Sequence, residues 1–225
     1  MTERPEFALL KDAGYHWDNS FDIIKIFEKK ISSYTGAPYV TVTDCCTHSL
    51  ELCLRYKILK NETIDGISLP ANTYISVPMM LKKLKIPYKF EKKQWEGFYY
   101  LEPTNVIDMA IRFNKDCYIP NSYCCLSFGN KKVLKIYRGG AILTDNIDAH
   151  NYFQLARSDG RDLGIVPWTD QKTFDVLGFH YNLSIEDCGR GILLMDALAK
   201  NGKYNKDSFY GSTCYPDLSK LKFNF

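Results

Sequence analysis

Short strand-like runs alternate with helix-like segments through the first half of this chain, and this alternation limits the folds that it can adopt. Residues 39–43 form a β-branched run that predicts a strand, and apolar residues at helical spacing follow it at 50–58. The pattern repeats, with a strand predicted at 67–69 and a helix at 77–84. Because this repetition is typical of parallel sheets covered by helices, we expect an α/β fold. The predicted architecture is a three-layer α/β/α sandwich with a mostly parallel sheet.

The remaining elements are predicted from shorter signals. Ser20 is placed to begin a helix that ends at Gly36. Ser184 is placed to begin the last helix, which runs to about residue 198. Further strands are predicted at 88–90, 98–101, 106–108, 123–128 and 139–144, and another helix is predicted after Asp145 or Asn146. The tail from residue 202 is polar and aromatic and has no helical or strand periodicity.

Composition excludes several classes of protein. Of the 225 residues, 45% are hydrophobic and 24% are charged, so the chain can bury a sizeable core and is not disordered or fibrous. A net charge of +3 gives no sign of nucleic-acid binding. The eight cysteines form no C-x-x-C motif, so we expect reduced thiols and no metal site. With no leader-like start and no long apolar run, we expect a cytoplasmic protein that makes no contact with membranes.

Three polar clusters follow predicted strands, at residues 44–49, 72–74 and 127–132. Ligands of open α/β sheets bind at the carboxyl ends of strands, so each cluster is a candidate site. Each cluster can also be explained without a ligand. The first can be a turn that caps a helix, the second can contain a tyrosine of the core, and the third can be a solvated turn that carries a lysine. Asp108 likewise follows a predicted strand. Its carboxylate could pair with a cation or could cap a helix. These residues alone identify no reaction.

Eight motifs occur in a fixed order between about residues 21 and 200. They are FEKKISSYTG at 27–36, VTVTDCCTHSL at 40–50, LPANTYIS at 69–76, VIDMA at 106–110, SFGNKK at 127–132, GGAILTD at 139–145, RSDGR at 157–161 and LGFHYNLS at 177–184. In this order the chain resembles the DegT-type, StrS-like sugar aminotransferases. These are pyridoxal-phosphate (PLP) enzymes with the aspartate aminotransferase fold, also called type I PLP enzymes.

The resemblance implies a role for several residues. Lys132 would form the Schiff base with PLP and move a proton, and Asp108 would pair with the pyridinium nitrogen. Tyr74 would stack on the ring. The phosphate would be held by Cys46, Thr47 and Ser127, and His180 would reach the phosphate bound by a partner subunit. The resemblance therefore also implies a homodimer with composite sites.

The chain departs from the family pattern in single residues and in length. Cys45 and Cys46 replace Ser-Gly, His180 replaces Asn, and Asn182 replaces Arg. The segment 91–105 is too short for the strand and helix that the family has there, and little of a small C-terminal domain follows residue 200. We therefore expect a PLP-binding large domain at 1–200, with an N-terminal arm at 1–20, and a short tail at 201–225.

The implied function is transfer of an amino group from a glutamate-like amino acid to a keto-sugar nucleotide. Two alternatives remain open. In the first, the chain would be a non-catalytic binding or regulatory subunit. In the second, it would be a PLP enzyme with another reaction, such as dehydration or decarboxylation. Retention of Lys132 and Asp108 favours an enzyme, whereas the loss of the small domain favours the alternatives.

Overall fold

Strands and helices alternate along the chain in a computed structural model that describes residues 4–201 and 211–223. The helices are α1 (Pro5–Asp12), α2 (Asp22–Thr35), α3 (Cys46–Leu59), α4 (Ser76–Lys83), α5 (Ile147–Ala156) and α6 (Ile185–Asn201). The strands are β1 (Tyr39–Thr43), β2 (Ile67–Pro70), β3 (Tyr88–Glu91), β4 (Tyr99–Tyr100), β5 (Val106–Asp108), β6 (Tyr123–Ser127) and β7 (Gly140–Thr144). The predicted α/β class is confirmed.

The main sheet has the strand order β1-β7-β6-β5-β4, and β2 pairs with β3 in a second, two-stranded sheet. A backbone hydrogen bond of 2.8 Å from Ser68 to Glu102 joins the two sheets. The pairings show that β1, β2, β3, β5 and β6 run in one direction and that β4 and β7 run against them. The prediction of a mostly parallel sheet is wrong for the hydrogen-bonded strand pairs of the main sheet. Three of the four pairings in the main sheet are antiparallel, because β7 lies between β1 and β6 and β4 lies at the edge.

Two apolar layers, one on each face of the sheet, give the predicted three-layer arrangement. One layer joins α1, α2 and α6 to alternate residues of the strands, such as Val40 and Val42. The other joins α3, α4 and α5 to residues on the opposite face, such as Ile142 and Cys125. Side chains of a strand alternate between the two faces of a sheet, so both faces of each central strand are buried.

Helix α2 shows how the local sequence sets the ends of an element. Ile24, Phe27 and Ile31 recur at helical spacing and are buried against the sheet. The helix ends at Gly36, which adopts φ of +78°, a left-handed conformation that glycine accepts without strain. Its start differs from the prediction, because Phe21 rather than Ser20 precedes the first helical residue and no side chain caps it.

The ends of the expected large domain are better ordered than the sequence suggests. Residues 5–12 of the predicted N-terminal arm form α1, which packs on α6, and Arg190 pairs with Glu6 at 2.9 Å. Between β3 and β5 only the two-residue β4 occurs, in line with the short segment noted in the sequence. Residues 202–210 of the predicted tail lie outside the described residues. In the part of the chain that is described, no helix has the length and apolar character needed to cross a bilayer.

Candidate functional site

The carboxyl ends of β1, β5 and β6 lie at one edge of the main sheet, and β2 of the adjoining sheet ends on the same side, because these strands share a direction. The chain also turns into β7 at this edge, since β7 runs the opposite way. The edge therefore collects the residues that follow four separate strands. These include Asp44 after β1, Thr73 after β2, Asp108 at the end of β5 and Ser127 at the end of β6.

Asp108 lies buried at the centre of this edge and accepts two hydrogen bonds. The Tyr99 hydroxyl donates to Oδ2 at 2.7 Å, and the Ala110 backbone N–H donates to Oδ1 at 2.9 Å. Because the Tyr99 proton is used on Asp108, the Thr73 hydroxyl donates to the Tyr99 oxygen, at 2.5 Å. Burial raises the pKa of Asp108, although these two hydrogen bonds and the charge of Lys132 favour the ionised form. The carboxylate is thus oriented but incompletely compensated in charge.

Lys132 lies in the turn after β6, where its backbone N–H donates to the Gly129 carbonyl at 3.0 Å. A side chain at Gly129 would place its Cβ 3.8 Å from Ser127 Oγ and 3.9 Å from Lys132 Cγ, so these two groups border the same space. Burial lowers the pKa of Lys132, while the charge of the nearby Asp108 opposes that shift. A lowered pKa increases the fraction of neutral amine, which is the nucleophilic form.

Two helix N-termini converge beside Lys132 and Asp108. Helix α3 begins at Cys46 and α4 begins at Ser76, and the Thr47 and Ser76 hydroxyls hydrogen-bond each other at 2.7 Å. The N-terminus of a helix presents free N–H groups and the positive end of the helix dipole. Two such ends with hydroxyl groups between them form an arrangement suited to an anion, above all a phosphate.

Gly140 fixes the close approach of β7 to the start of α3. A Cβ atom at Gly140 would lie 2.6 Å from the Cys46 nitrogen and 2.8 Å from the Leu126 carbonyl oxygen, so only glycine fits. The Cys46 thiol lies 3.5 Å from the Cys125 carbonyl, and burial raises its pKa well above the ordinary value. Cys46 is therefore a neutral, inward-facing thiol, and its contribution to an anion site is its backbone N–H.

Asp44, Cys45 and His48 form a polar group at the rim of this edge. Their ligand-type atoms lie within 4.8 Å of one another, a proximity that the sequence analysis did not anticipate. Burial disfavours a charged ring at His48, but hydrogen bonds to Asp44, at 2.6 Å, and to Cys45 outweigh it and raise the pKa of His48 to about 9. Arg138 also reaches Asp44, at 3.3 Å. The group is therefore an ion-pair network in which both carboxylate oxygens of Asp44 already have cationic partners.

Tyr74 and His180 occupy exposed positions. Tyr74 is 59% exposed and its ring meets the edge of the Tyr215 ring at a centroid distance of 6.4 Å. The His180 side chain is 83% exposed and hydrogen-bonds Asp159 at 3.1 Å. No hydrogen bond or ion pair among the described residues joins His180 to the other candidate residues. The neighbouring Tyr181 points the opposite way and stacks on His48 at 3.6 Å.

Three polar residues of the site received no individual role from sequence reasoning: Thr73, Ser76 and Tyr99. Tyr99 reaches Asp108 because the two residues are partners in the antiparallel β4–β5 pair. Only the register of that hairpin places them together, and a strand of two residues carries almost no sequence signal. Thr73 and Ser76 both lie within the LPANTYIS motif at 69–76, and a search for hydroxyl residues inside that motif would have found them.

A cavity of about 310 Å³ lies elsewhere and shares no residue with this cluster. Glu28, Gln154 and Arg157 line it, and the Arg157 guanidinium donates to Glu28 at 2.5 Å and to the Val42 carbonyl at 2.6 Å. These contacts tie α2, β1 and α5 together. The RSDGR motif therefore begins with an arginine whose observed contacts are structural.

Comparisons with known proteins agree with the fold. No protein-family model and no curated protein matches the sequence. Among solved structures, the chain is similar to AtS13 from Actinomadura melliaura (TM-score 0.68, 14% identity, 87% of this chain and 64% of that one). It is also similar to the sugar aminotransferase CalS13 from Micromonospora echinospora (TM-score 0.63, 13% identity, 88% and 67%). A third similar structure is PseC from Helicobacter pylori, an aminotransferase involved in the biosynthesis of pseudoaminic acid (TM-score 0.64, 14% identity, 89% and 64%).

These similarities establish a fold rather than an activity. At 12–16% identity the neighbours share an architecture with this chain, and they include PLP-dependent aminotransferases. The chain spans 64% of the length of the AtS13 structure, which is less than two thirds. The chain therefore has the mixed α/β fold of PLP-dependent aminotransferases, as its sequence predicts.

Proposed function

We propose that this chain binds pyridoxal phosphate at the strand-end edge and acts as an aminotransferase-like enzyme. The observation that carries the proposal is the convergence, at one strand-end edge, of the buried and hydrogen-bonded Asp108, of Lys132, whose charge interacts with it, and of the N-terminus of α3. Groups with perturbed pKa values that share a charge interaction are common at functional sites. The fold similarity to PLP-dependent aminotransferases supports the same assignment.

The donor set fits the cofactor at each of its ends. Asp108 supplies a buried carboxylate for a protonated ring nitrogen, and such a cation would offset the charge that burial leaves uncompensated. At the other end, Thr47, Ser127 and the N-terminus of α3 supply the hydroxyl and N–H donors that a phosphate needs. Lys132, whose charge interacts with that of Asp108, would be the amine that holds the aldehyde and that holds or releases a proton at Nζ.

When bound, pyridoxal phosphate supplies an aldehyde and an electron-accepting ring, and the protein supplies orientation and proton transfer. Tyr99 and Thr73 hold the Asp108 carboxylate in one orientation through a chain of hydrogen bonds. A lysine with a lowered pKa exchanges protons more readily near neutral pH. For the substrates we propose an amino acid donor of the glutamate type and a keto-sugar nucleotide acceptor, supported by the sugar aminotransferases among the structural neighbours.

The first prediction is that PLP bonds to Lys132. Adding PLP to the purified protein, reducing it with borohydride and mapping the product by mass spectrometry should place the label on Lys132. Lys132→Ala should abolish the label, because among the described residues Lys132 is the lysine whose charge acts on Asp108. Lys131→Ala is the matched control and should label fully, since the adjacent exposed side chain is one residue out of register. A label on Lys131, or an undiminished label in Lys132→Ala, would refute the assignment.

Turnover distinguishes the enzyme from the alternative of a non-catalytic subunit. A PLP-loaded aminotransferase converts glutamate to the keto acid in the absence of acceptor and shifts the cofactor absorbance as it does so. If Lys132 is labelled but no amino acid changes the spectrum, a binding or regulatory role replaces catalysis. Release of water or carbon dioxide from the donor instead would indicate dehydration or decarboxylation.

We further propose a homodimer in which His180 contributes to the partner's site. The His180 ring faces solvent, while Tyr181 and the backbone of this segment pack on its own chain at Asp44 and His48. Several large apolar side chains between α5 and α6 are also exposed, which favours a protein interface. They are Val166, Trp168, Phe174 and Leu177.

A further inference from the structure

The C-terminal strap, defined as residues 211–221, lies across the loops next to the candidate site. Backbone hydrogen bonds fix it at two points, from Ser212 to the Trp95 carbonyl at 3.0 Å and from Leu218 to the Ala71 carbonyl at 2.8 Å. The Asn72 side chain also donates to the strap, at the Tyr215 carbonyl. Leu218 is 1% exposed, so the strap is packed rather than merely adjacent.

The strap brings the ring of Tyr215 into an aromatic cluster that leads to Asp108. Tyr215 stacks on Trp95 at a centroid distance of 5.8 Å and an interplanar angle of 27°, and it contacts the edge of Tyr74. The Trp95 ring lies 4.9 Å from that of Tyr99, whose hydroxyl donates to Asp108. The ring from the strap therefore contacts the exposed Tyr74 and is linked to the buried carboxylate through Trp95 and Tyr99.

The electrostatic surroundings of Tyr215 agree with this position. Burial raises the pKa of Tyr215 to about 12, and the charge of Asp108 acts in the same direction. The phenol is therefore neutral at physiological pH. In this form Tyr215 offers both the face of its aromatic ring and an O–H hydrogen-bond donor. Neutral aromatic rings contact other planar rings in stacked or edge-on geometry.

We propose that Tyr215 is a ligand-contacting residue of the candidate site, and that the strap forms the outer wall against which a planar pyridine ring packs. The inference rests on the proposed function, because it takes the ligand to be a pyridoxal-type phosphate. In this arrangement the strap covers the site on the side of Tyr74 and Trp95. The ring of Tyr215 supplies the contact, and its hydroxyl is secondary.

The test uses pyridoxamine 5'-phosphate, which has the ring and the phosphate but no aldehyde to bond with Lys132. Calorimetry on the full chain measures its affinity for wild type and for Tyr215→Leu, which keeps an apolar side chain but removes the ring. We expect Tyr215→Leu to weaken binding about threefold to tenfold, the range of one aromatic contact. Tyr215→Phe keeps the ring and should bind within about twofold of wild type. Cys214→Ala, the exposed neighbour in the strap, is the control and should not differ from wild type.

Each other outcome has a defined meaning. Equal or tighter binding by Tyr215→Leu overturns the inference, and tighter binding would show that the strap blocks the site. A Tyr215→Phe variant as weak as Tyr215→Leu overturns contact through the ring. If wild type binds no pyridoxamine phosphate, the proposed function and this inference both fail. If wild type binds pyridoxamine phosphate and the Tyr215 variants bind it with the same affinity, the proposed function stands and this inference fails.

Discussion

Asp108 illustrates how a single residue can be unfavourable for folding and useful for binding. Its carboxylate is buried with hydrogen bonds to Tyr99 and Ala110, yet its pKa is raised, so the folded chain holds the proton more tightly than the unfolded chain does. The ionised group therefore lowers stability at any pH above the raised pKa, and this loss disappears as the pH falls toward the ordinary aspartate pKa of 3.8. A bound pyridinium cation would reverse the effect by pairing with the charge.

A prediction follows for Asp108→Asn in the absence of PLP. The melting temperature at pH 7.5 should rise by about 2–4 °C, because the amide removes a buried charge and keeps its volume. The difference from wild type should shrink as the pH is lowered toward 4, measured by thermal unfolding. Affinity for PLP should fall by about tenfold or more, because the cation partner is lost. Asp65→Asn, at an exposed loop carboxylate, is the control and should change neither quantity. A variant with lower stability and unchanged affinity would remove Asp108 from the site.

Residues at this site differ in how far the sequence could predict them. Lys132 and Asp108 follow recognisable strands and occur in motifs with characteristic order, so the sequence could identify them. Tyr99 could not be identified, because its role depends on the register of a two-residue strand. Tyr215 belongs to a tail with no periodicity, and only its hydrogen bonds to the Trp95 and Asn72 segments bring it to the site.

At the level of elements, we expect the contact between β7 and the start of α3 to determine whether the proposed anion site forms. The sequence predicted both elements, since each has a clear pattern, but it could not show that they touch. It also predicted strand direction better than strand pairing, because β7 inserts between two strands that run the other way. Such insertion depends on long-range contacts that short periodicities do not report.

Gly140→Ala tests this contact. The added Cβ would lie 2.6 Å from the Cys46 nitrogen, so the backbone of α3 or β7 must shift. Overpacking of this kind costs about 1–3 kcal/mol of unfolding free energy, which urea unfolding can measure. Gly66→Ala is the control, because its Cβ would meet Pro87 at an ordinary 3.4 Å. PLP affinity should also fall in Gly140→Ala alone. Equal stability of the two variants would show that the close approach is not required.

At the level of the whole molecule, the proposed homodimer requires that His180 reach the site of the partner chain. An extended segment alternates the direction of its side chains, and here Tyr181 packs on His48 while His180 faces solvent beside Asp159. His180 therefore has no access to its own chain's phosphate donors through any described contact. A second copy is the occupant that the exposed apolar loop between α5 and α6 favours, since obligate interfaces commonly have apolar centres.

Mixed dimers test the composite site. Chains carrying Lys132→Ala and chains carrying His180→Ala are mixed in equal amounts, dissociated and reassociated. If the two residues come from opposite subunits, each mixed dimer has one intact site, and about a quarter of all sites should recover tight PLP binding. Lys132→Ala mixed with Asp108→Asn is the matched control, because these residues share one chain's site and no mixture restores them. The readout is the fraction of lysine labelled by borohydride at a PLP concentration below the Kd of either parent. Recovery in both mixtures, in neither, or in a stable monomer would contradict a site shared between two chains.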